Sequence, residues 1–351
     1  MAQRWIVSPA VDLAALALPA AATVAVLLAP RPDELSLLHF LWLVVAFDVA
    51  HVWATVYLTY GDAEVRRRRP LLLVLPIPLV WVAAFRLHEH SPSLYWTVLA
   101  YVAIHHFASQ QYGFVALYRA LGGAATALDR SLDKVTLWTG ALVPVIAWHA
   151  SPAGFDWFGH GEAFLAPLDP ALLPDLYAVY GAVALAYLGR QVWHATQGSF
   201  NLPKNAWMLA SWVSWAVGLA WADHPLVALA AINLMHGLPF LGLVWVRARR
   251  RWAAEPEARG VVPWLVRNPW SFVAPLLAVA LLEEGLWEGL VWGHYVALWT
   301  ELSPTETSLV VAVLALPQTV HYVLDGWIWK MDGSNPDLKL LFAGPPGPQP
   351  A

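Results

Sequence analysis

Residues 93–118 read SLYWTVLAYVAIHHFASQQYGFVALY, 26 positions without an Asp, Glu, Lys or Arg. A helix rising about 1.5 Å per residue needs about 20 residues to cross a hydrocarbon layer of roughly 30 Å. The stretch is therefore long enough to span a membrane, and two adjacent histidines lie near its middle. Comparable apolar runs recur along the chain, separated by Pro, Gly and charge. They place spans near 11–29, 36–60, 71–87, 93–118, 135–150, 172–190, 206–222, 225–246, 270–298 and 306–329. No ten-residue alternation of apolar and polar positions recurs, which sets aside a closed barrel, the other fold that lipid admits. The expectation is an all-α, polytopic transmembrane helical bundle of about ten spans, a single domain over 1–342. Residues 343–351, rich in Pro and Gly, are expected to form a disordered tail.

Composition agrees with lipid as the main solvent. Of the 351 residues 59% are hydrophobic and 13% charged, where a soluble chain carries roughly a quarter charged. The 22 Trp fit a membrane protein, because indole rings favour the headgroup boundary. The net charge of −4 and the scatter of basic residues over short loops give no nucleic-acid patch. With no cysteine in the chain, disulfides, thiolate-bound iron–sulfur clusters and covalent c-type haem are excluded. No GxSxG, Walker loop or dinucleotide fingerprint occurs.

Charge orients the bundle. With the N-terminus in the cytoplasm, 18 of the 20 Lys and Arg fall on the cytoplasmic side and only Arg31 and Arg86 fall outside. This is the positive-inside bias, so both ends are expected to be cytoplasmic. The Arg-rich loop 247–269 is then expected among anionic headgroups.

Four spans carry ionisable residues well inside the apolar run. Asp48 and His51 stand at i, i+3; Asn233 and His236 likewise; His321 and Asp325 stand at i, i+4. Such spacings put both members on one helix face. The fourth span carries His105, His106, Gln110, Gln111 and Tyr112. His106 and Gln110 share a face, whereas His105 and His106 diverge by about 100°. In the ten-span topology all five histidines lie about 13–21 Å from the cytoplasmic end of their helices, one slab of the membrane. A single His in a membrane helix is commonly interhelical glue. A carboxylate is different, costing about 2.5–3.5 kcal/mol in hydrocarbon unless paired or wet.

Imidazole backed by carboxylate is the arrangement of many metal-bound histidines. The expected metal ligands are His51, His105, His106, His236 and His321, with Asp48 and Asp325 as ligands or orienting partners. Gln110, Gln111, Tyr112 and Asn233 are expected to line the pocket and position substrate or oxygen. A ligand set of nitrogen and oxygen without sulfur suits non-haem iron, with zinc as the second choice. Glu283, Glu284, Glu288 and His294 form a weaker second cluster, whose simpler reading is an interrupted helix emerging into water. The segment NLPKNAW (201–207) marks the start of a helix, with Asn205 as its expected N-cap. His88, Glu89 and His90 read as an outer loop.

The segments HHFASQQYGFVALY and HYVLDGWIWK resemble those of histidine-rich, polytopic bacterial membrane proteins. In general plan the chain is more distantly similar to the carotene-cleaving membrane oxygenases that accompany bacterial rhodopsins. Those spread metal-ligating histidines over several helices and act on an apolar substrate. The motif spacings do not align, so no residue role is carried over. The resemblance implies a location in the bacterial inner (cytoplasmic) membrane. The expected function is a metal-dependent oxygenase or hydroxylase of lipids or other apolar molecules, drawing electrons from a separate donor. Two rivals use the same side chains: a membrane zinc hydrolase, and a proton- or ion-coupled transporter with a His/Asp relay.

Overall fold

The structure, a computed structural model, describes residues 5–28, 37–123, 125–150, 165–221, 225–253, 260–293, 298 and 302–342. His294, the tail 343–351, Arg4 and Arg31 lie outside the described residues. Among the described residues the regular elements are all helical and no strand occurs. The long helices are α1 (Pro9–Leu28), α2 (Leu37–Leu58), α3 (Pro70–His90), α4 (Pro92–Gly122) and α5 (Ala127–Trp148). They continue as α6 (Pro170–Thr196), α7 (Leu202–Trp215), α8 (Leu226–Ala253), α9 (Pro269–Trp292) and α10 (Pro304–Ile328). Within the described residues, each expected span overlaps one of them.

Among the described residues, seven of these helices are long and apolar enough to cross a membrane: α1, α2, α3, α6, α8, α9 and α10. The chain is thus an integral membrane protein. The other three, α4, α5 and α7, are more polar, because α4 carries its His and Gln residues, α5 its Asp129, Arg130, Asp133 and Lys134, and α7 its Lys204 and Asn205. Side chains on the outer surface fit lipid. Leu185 on α6 is 71% exposed and Leu282 on α9 is 64% exposed. Apolar residues exposed all along long helices would be untenable in water.

Local sequence sets the helix ends. Thr126 and Asp129 form a capping box that starts α5, and Ser303 and Glu306 do the same for α10. The N-cap of α7 is Asn201, whose side chain accepts from the Lys204 N–H at 3.1 Å. The expected cap, Asn205, lies one turn inside. Pro203 tolerates the first turn of a helix, where its missing N–H is not needed, so the helix begins before it. Asn205 instead binds Tyr187 and Gln191 across to α6.

The chain divides into two compact units. The first comprises the described parts of Met1–Leu35 and Ala100–His236. Its apolar core joins Ile104, Phe107 and Ala108 of α4 to Ala141 and Val145 of α5, with Trp215 of α7 and Ile232 of α8. Charge is buried here in two groups. Asp133, 1% exposed, accepts from Lys204 Nζ at 2.8 Å and from Arg119 Nη1 at 3.0 Å. Asp129 accepts from Arg190 Nε at 2.8 Å and lies 2.9 Å from His194 Nε2.

The second unit comprises Ser36–Leu99 and the described parts of Gly237–Ala351. Its core is built from rows four residues apart: Phe240, Val244 and Ala248 on α8, Phe272, Leu276 and Ala280 on α9, and Ala50, Ala54 and Leu58 on α2. Such i, i+4 ridges are what packed helices interleave. Tyr57 of α2 ties the rows together by donating to the Phe272 carbonyl at 3.1 Å. Arg247 of α8 donates to both carboxylate oxygens of Asp337, and Arg250 donates to the carbonyls of Leu340 and Leu341. The short helix Pro336–Phe342 is thereby fixed to α8.

The buried triad of the first unit predicts a large effect from one substitution. Asp133→Ala leaves the ammonium of Lys204 and the guanidinium of Arg119 without their shared carboxylate, a loss of about 3–5 kcal/mol for a broken buried pair. The melting temperature of the purified protein in detergent should fall markedly; an unchanged value would show that the triad does not stabilise the fold.

Candidate metal centre

Among the described residues, the buried histidines are His51, His88, His106, His236 and His321. His88 has a structural partner. It lies in the last turn of α3 rather than in a loop, and its Nδ1 meets Ser308 Oγ at 2.8 Å. Histidines outside the buried set are engaged as well. His149 sits between Tyr101 Oη and the Val145 carbonyl, and His194 between Asp129 and Ser199.

The second unit holds His51 on α2 and His321 on α10. Residues Leu41–Val49 of α2 form wide π-helical turns that end two residues before His51. The His51 ring turns back along its helix, and its Nδ1 lies 3.2 Å from the Phe47 carbonyl. A carbonyl only accepts, so Nδ1 carries the proton and Nε2 presents its lone pair. That Nε2 lies 3.2 Å from Nε2 of His321. On the far side of His321, Nδ1 lies 2.7 Å from Thr55 Oγ1. Asp48 Oδ1 stands 3.6 Å from His51 Nδ1, and Asp325 Oδ1 stands 3.6 Å from His321 Nδ1. The i, i+3 and i, i+4 pairs expected from the sequence therefore form, with each carboxylate behind its ring.

Geometry gives this pair a chemical meaning. Two nitrogens bound at 2.0–2.1 Å to one ion lie about 3.4 Å apart at a tetrahedral angle and about 3 Å apart at a right angle. The observed 3.2 Å falls between. Phe240 packs edge-on against both rings, with centroids at 5.4 and 5.6 Å, and closes their apolar side. What the rings offer is two converging nitrogens in a dry wall, each with its other nitrogen anchored.

A second imidazole pair belongs to the first unit. His106 on α4 and His236 on α8 have ring centroids 5.0 Å apart at 80°, and their ligand nitrogens lie within 4.8 Å of each other. Phe107 lies against the His236 ring at 3.9 Å. In α8, as in α2, π-helical turns (Leu229–Asn233) run up to the histidine. Wide turns of this kind recur at functional sites. Asn233, buried, ends that segment.

The remaining expected site residues divide. His105 is exposed, with its ring 5.4 Å from Trp138, so the structure sets it apart from the buried His106. Gln111 is fully buried, but its Oε1 accepts from Trp215 Nε1 at 2.7 Å and its carbonyl from Trp207 Nε1. Gln111 thus ties α4 to α7. Tyr112 lies beside the Arg119 guanidinium, 5.9 Å from ring centroid to cation. Gln110 is the exception: both amide atoms are buried and find no hydrogen-bond partner among the described residues. In the weaker cluster, Glu283 is buried and accepts from Trp53 Nε1 at 2.6 Å. Thr55, which had no motif to mark it, is the polar neighbour that the sequence did not indicate.

Comparison with known proteins finds no matching family model, no significantly similar curated protein and no similar solved structure.

A close approach supports the His51 ring. The α-carbon of Gly237 on α8 faces the Phe47 carbonyl, the same oxygen that holds His51 Nδ1, and a methyl group there would collide with it. Gly237→Ala should therefore force the α2 and α8 backbones apart, costing about 1–3 kcal/mol as overpacking does. A lowered melting temperature is expected, while Gly242→Ala, where nothing lies within contact distance, should leave it unchanged.

Proposed function

We propose that the protein is a membrane-embedded metalloenzyme, a non-haem iron-dependent oxygenase or hydroxylase acting on a lipid or other apolar molecule. The observation that supports it most is the pair of converging Nε2 atoms of His51 and His321, 3.2 Å apart with a carboxylate behind each ring. His106 and His236 are proposed as further ligands. Sulfur-free ligands and an apolar setting suit iron. A bound iron would supply the redox chemistry that side chains lack.

The chain's own residues do the rest. The Phe47 carbonyl holds the His51 Nδ1 proton and Thr55 Oγ1 lies against His321 Nδ1, while Asp48 and Asp325, 3.6 Å from those nitrogens, favour that ring orientation and strengthen each imidazole as a base. Gln110, whose amide has both donor and acceptor capacity unused among the described residues, binds the polar group of the substrate or an ordered water. Asn233 beside His236 assists that positioning. Gln111 and Tyr112 act in packing. Alkyl chains and dioxygen both dissolve in the bilayer, so a site within it meets them directly. The proposal includes ten spans with both ends cytoplasmic, in a bacterial cytoplasmic membrane, and a separate electron donor.

One observation favours a second reading. The carboxylates stand behind the rings and leave imidazole nitrogens alone to face each other. An imidazole-rich set also suits zinc, and with it a hydrolase.

Elemental analysis and an optical spectrum of the detergent-solubilised protein test these readings. Iron in stoichiometric amount without a Soret band is expected; zinc would favour the hydrolase, and absence of any metal would sink the enzyme proposal. His51→Ala and His321→Ala should each reduce bound metal at least about tenfold, and His105→Ala should leave it in place. Full retention in His321→Ala would remove the pair from the ligand set.

A further inference from the structure

Thr55 stands one helical turn after His51 on α2, buried at 2% exposure, with its hydroxyl between an imidazole and a carboxylate. Its Oγ1 lies 2.7 Å from His321 Nδ1 and 3.5 Å from Asp325 Oδ1. A hydroxyl has one proton to give. If it gave that proton to Nδ1, the Asp325 carboxylate, 3.6 Å from the same nitrogen, would face a lone pair and a hydroxyl turned away. If it gives the proton to Asp325, its oxygen accepts the Nδ1 proton, and both the hydroxyl and the ring N–H are turned toward the carboxylate side. Electrostatics selects the second arrangement.

We infer that Thr55 is a positioning residue that fixes the Nδ1–H tautomer of His321. The consequence lies at the opposite side of the ring. With the proton held at Nδ1, the His321 Nε2 lone pair is directed at His51 Nε2, which is itself unprotonated because His51 Nδ1 donates to the Phe47 carbonyl. Two lone pairs facing each other at 3.2 Å repel, and a cation between them turns that repulsion into attraction. The relay from Asp325 through Thr55 to His321 thus converts what would be an N–H···N contact into a seat for a cation. Thr55 does this by holding a neighbouring ring. The inference deepens the metal-binding reading and rests on it only for the identity of the cation, since the tautomer is a property of the metal-free protein.

Nitrogen NMR of metal-free protein labelled with ¹⁵N-histidine, reconstituted in lipid nanodiscs, reads the tautomer directly, with His321 assigned by its loss in His321→Gln. The wild type should show a protonated Nδ1 and an unprotonated Nε2 at His321. Thr55→Ser should keep that pattern. Thr55→Val, the same shape without the hydroxyl, should shift the proton toward Nε2. The same three proteins are then titrated with Co²⁺ against a chelator. Thr55→Val should bind about 10- to 100-fold more weakly, the usual effect of removing a partner behind a ligand, with Thr55→Ser close to wild type. A wild-type His321 protonated at Nε2, or a Thr55→Val protein with the wild-type tautomer, would overturn the inference. If the tautomers behave as stated but the wild type takes no Co²⁺, the metal-binding reading fails and the role of Thr55 stands.

Discussion

Lipid offers no hydrogen bonds, and nearly everything in this protein answers to that constraint. Backbone groups close their bonds within helices, so among the described residues no strand occurs and helix ends carry side-chain caps such as Thr126, Asn201 and Ser303. The tryptophans obey the same rule. Trp207, Trp212, Trp215 and Trp245 each direct the indole N–H to an oxygen on another helix or segment. Where water would satisfy these donors in a soluble protein, here the neighbouring helix must, and each indole thereby selects one helix packing among many apolar ones.

The buried charges follow two different patterns. Around Asp133 the charges are complementary and the donors, Lys204 and Arg119, reach the carboxylate directly. That set explains itself: two cations and a carboxylate in contact, with the Tyr187 ring 5.3 Å from the ammonium. Around His51 and His321 the pattern is layered. Carboxylates stand behind imidazoles, imidazoles face each other, and an aromatic ring, Phe240, closes the side. Layering of acceptors behind imidazole nitrogens is what a bound cation favours in its surroundings. The π-helical turns before His51 and before His236 belong to the same picture, since an extra residue per turn re-aims the side chains that follow.

Hydropathy made the helices legible, because length and apolarity fix which residues lie in lipid. The short-range pairs Asp48 with His51 and His321 with Asp325 were legible too, since three- and four-residue spacings survive in any helix. Rotation about the helix axis was not. A helix that is apolar nearly all round carries no stripe to say which side faces protein. Hence His105 and His106 could not be told apart by pattern, and the structure exposes the first and buries the second. Gln111 and Tyr112 were read into a pocket for the same reason, whereas Gln111 turns to Trp215 and Tyr112 to Arg119. Thr55 was invisible because a threonine in a membrane helix commonly bonds its own backbone. Its partners, His321 and Asp325, are some 270 residues away in sequence.

Magnitudes decide between glue and ligation for His51 and His321. An interhelical hydrogen bond in a membrane returns about 0.6 kcal/mol on average and about 1.7 at most. One N–H···N contact between two rings needs no carboxylate to make it. Yet two aspartates accompany this pair, each carrying an insertion cost of about 2.5–3.5 kcal/mol at the centre of a membrane helix. Their combined cost exceeds severalfold what joining α2 to α10 through the rings can return. A cation seated between the two Nε2 atoms changes the balance. It draws on the basicity that Asp48 and Asp325 confer, and its charge offsets theirs across the width of a ring. Carboxylates so placed are wasteful in a helix clamp and useful in a cation site, and this difference supports the proposal that the pair are ligands.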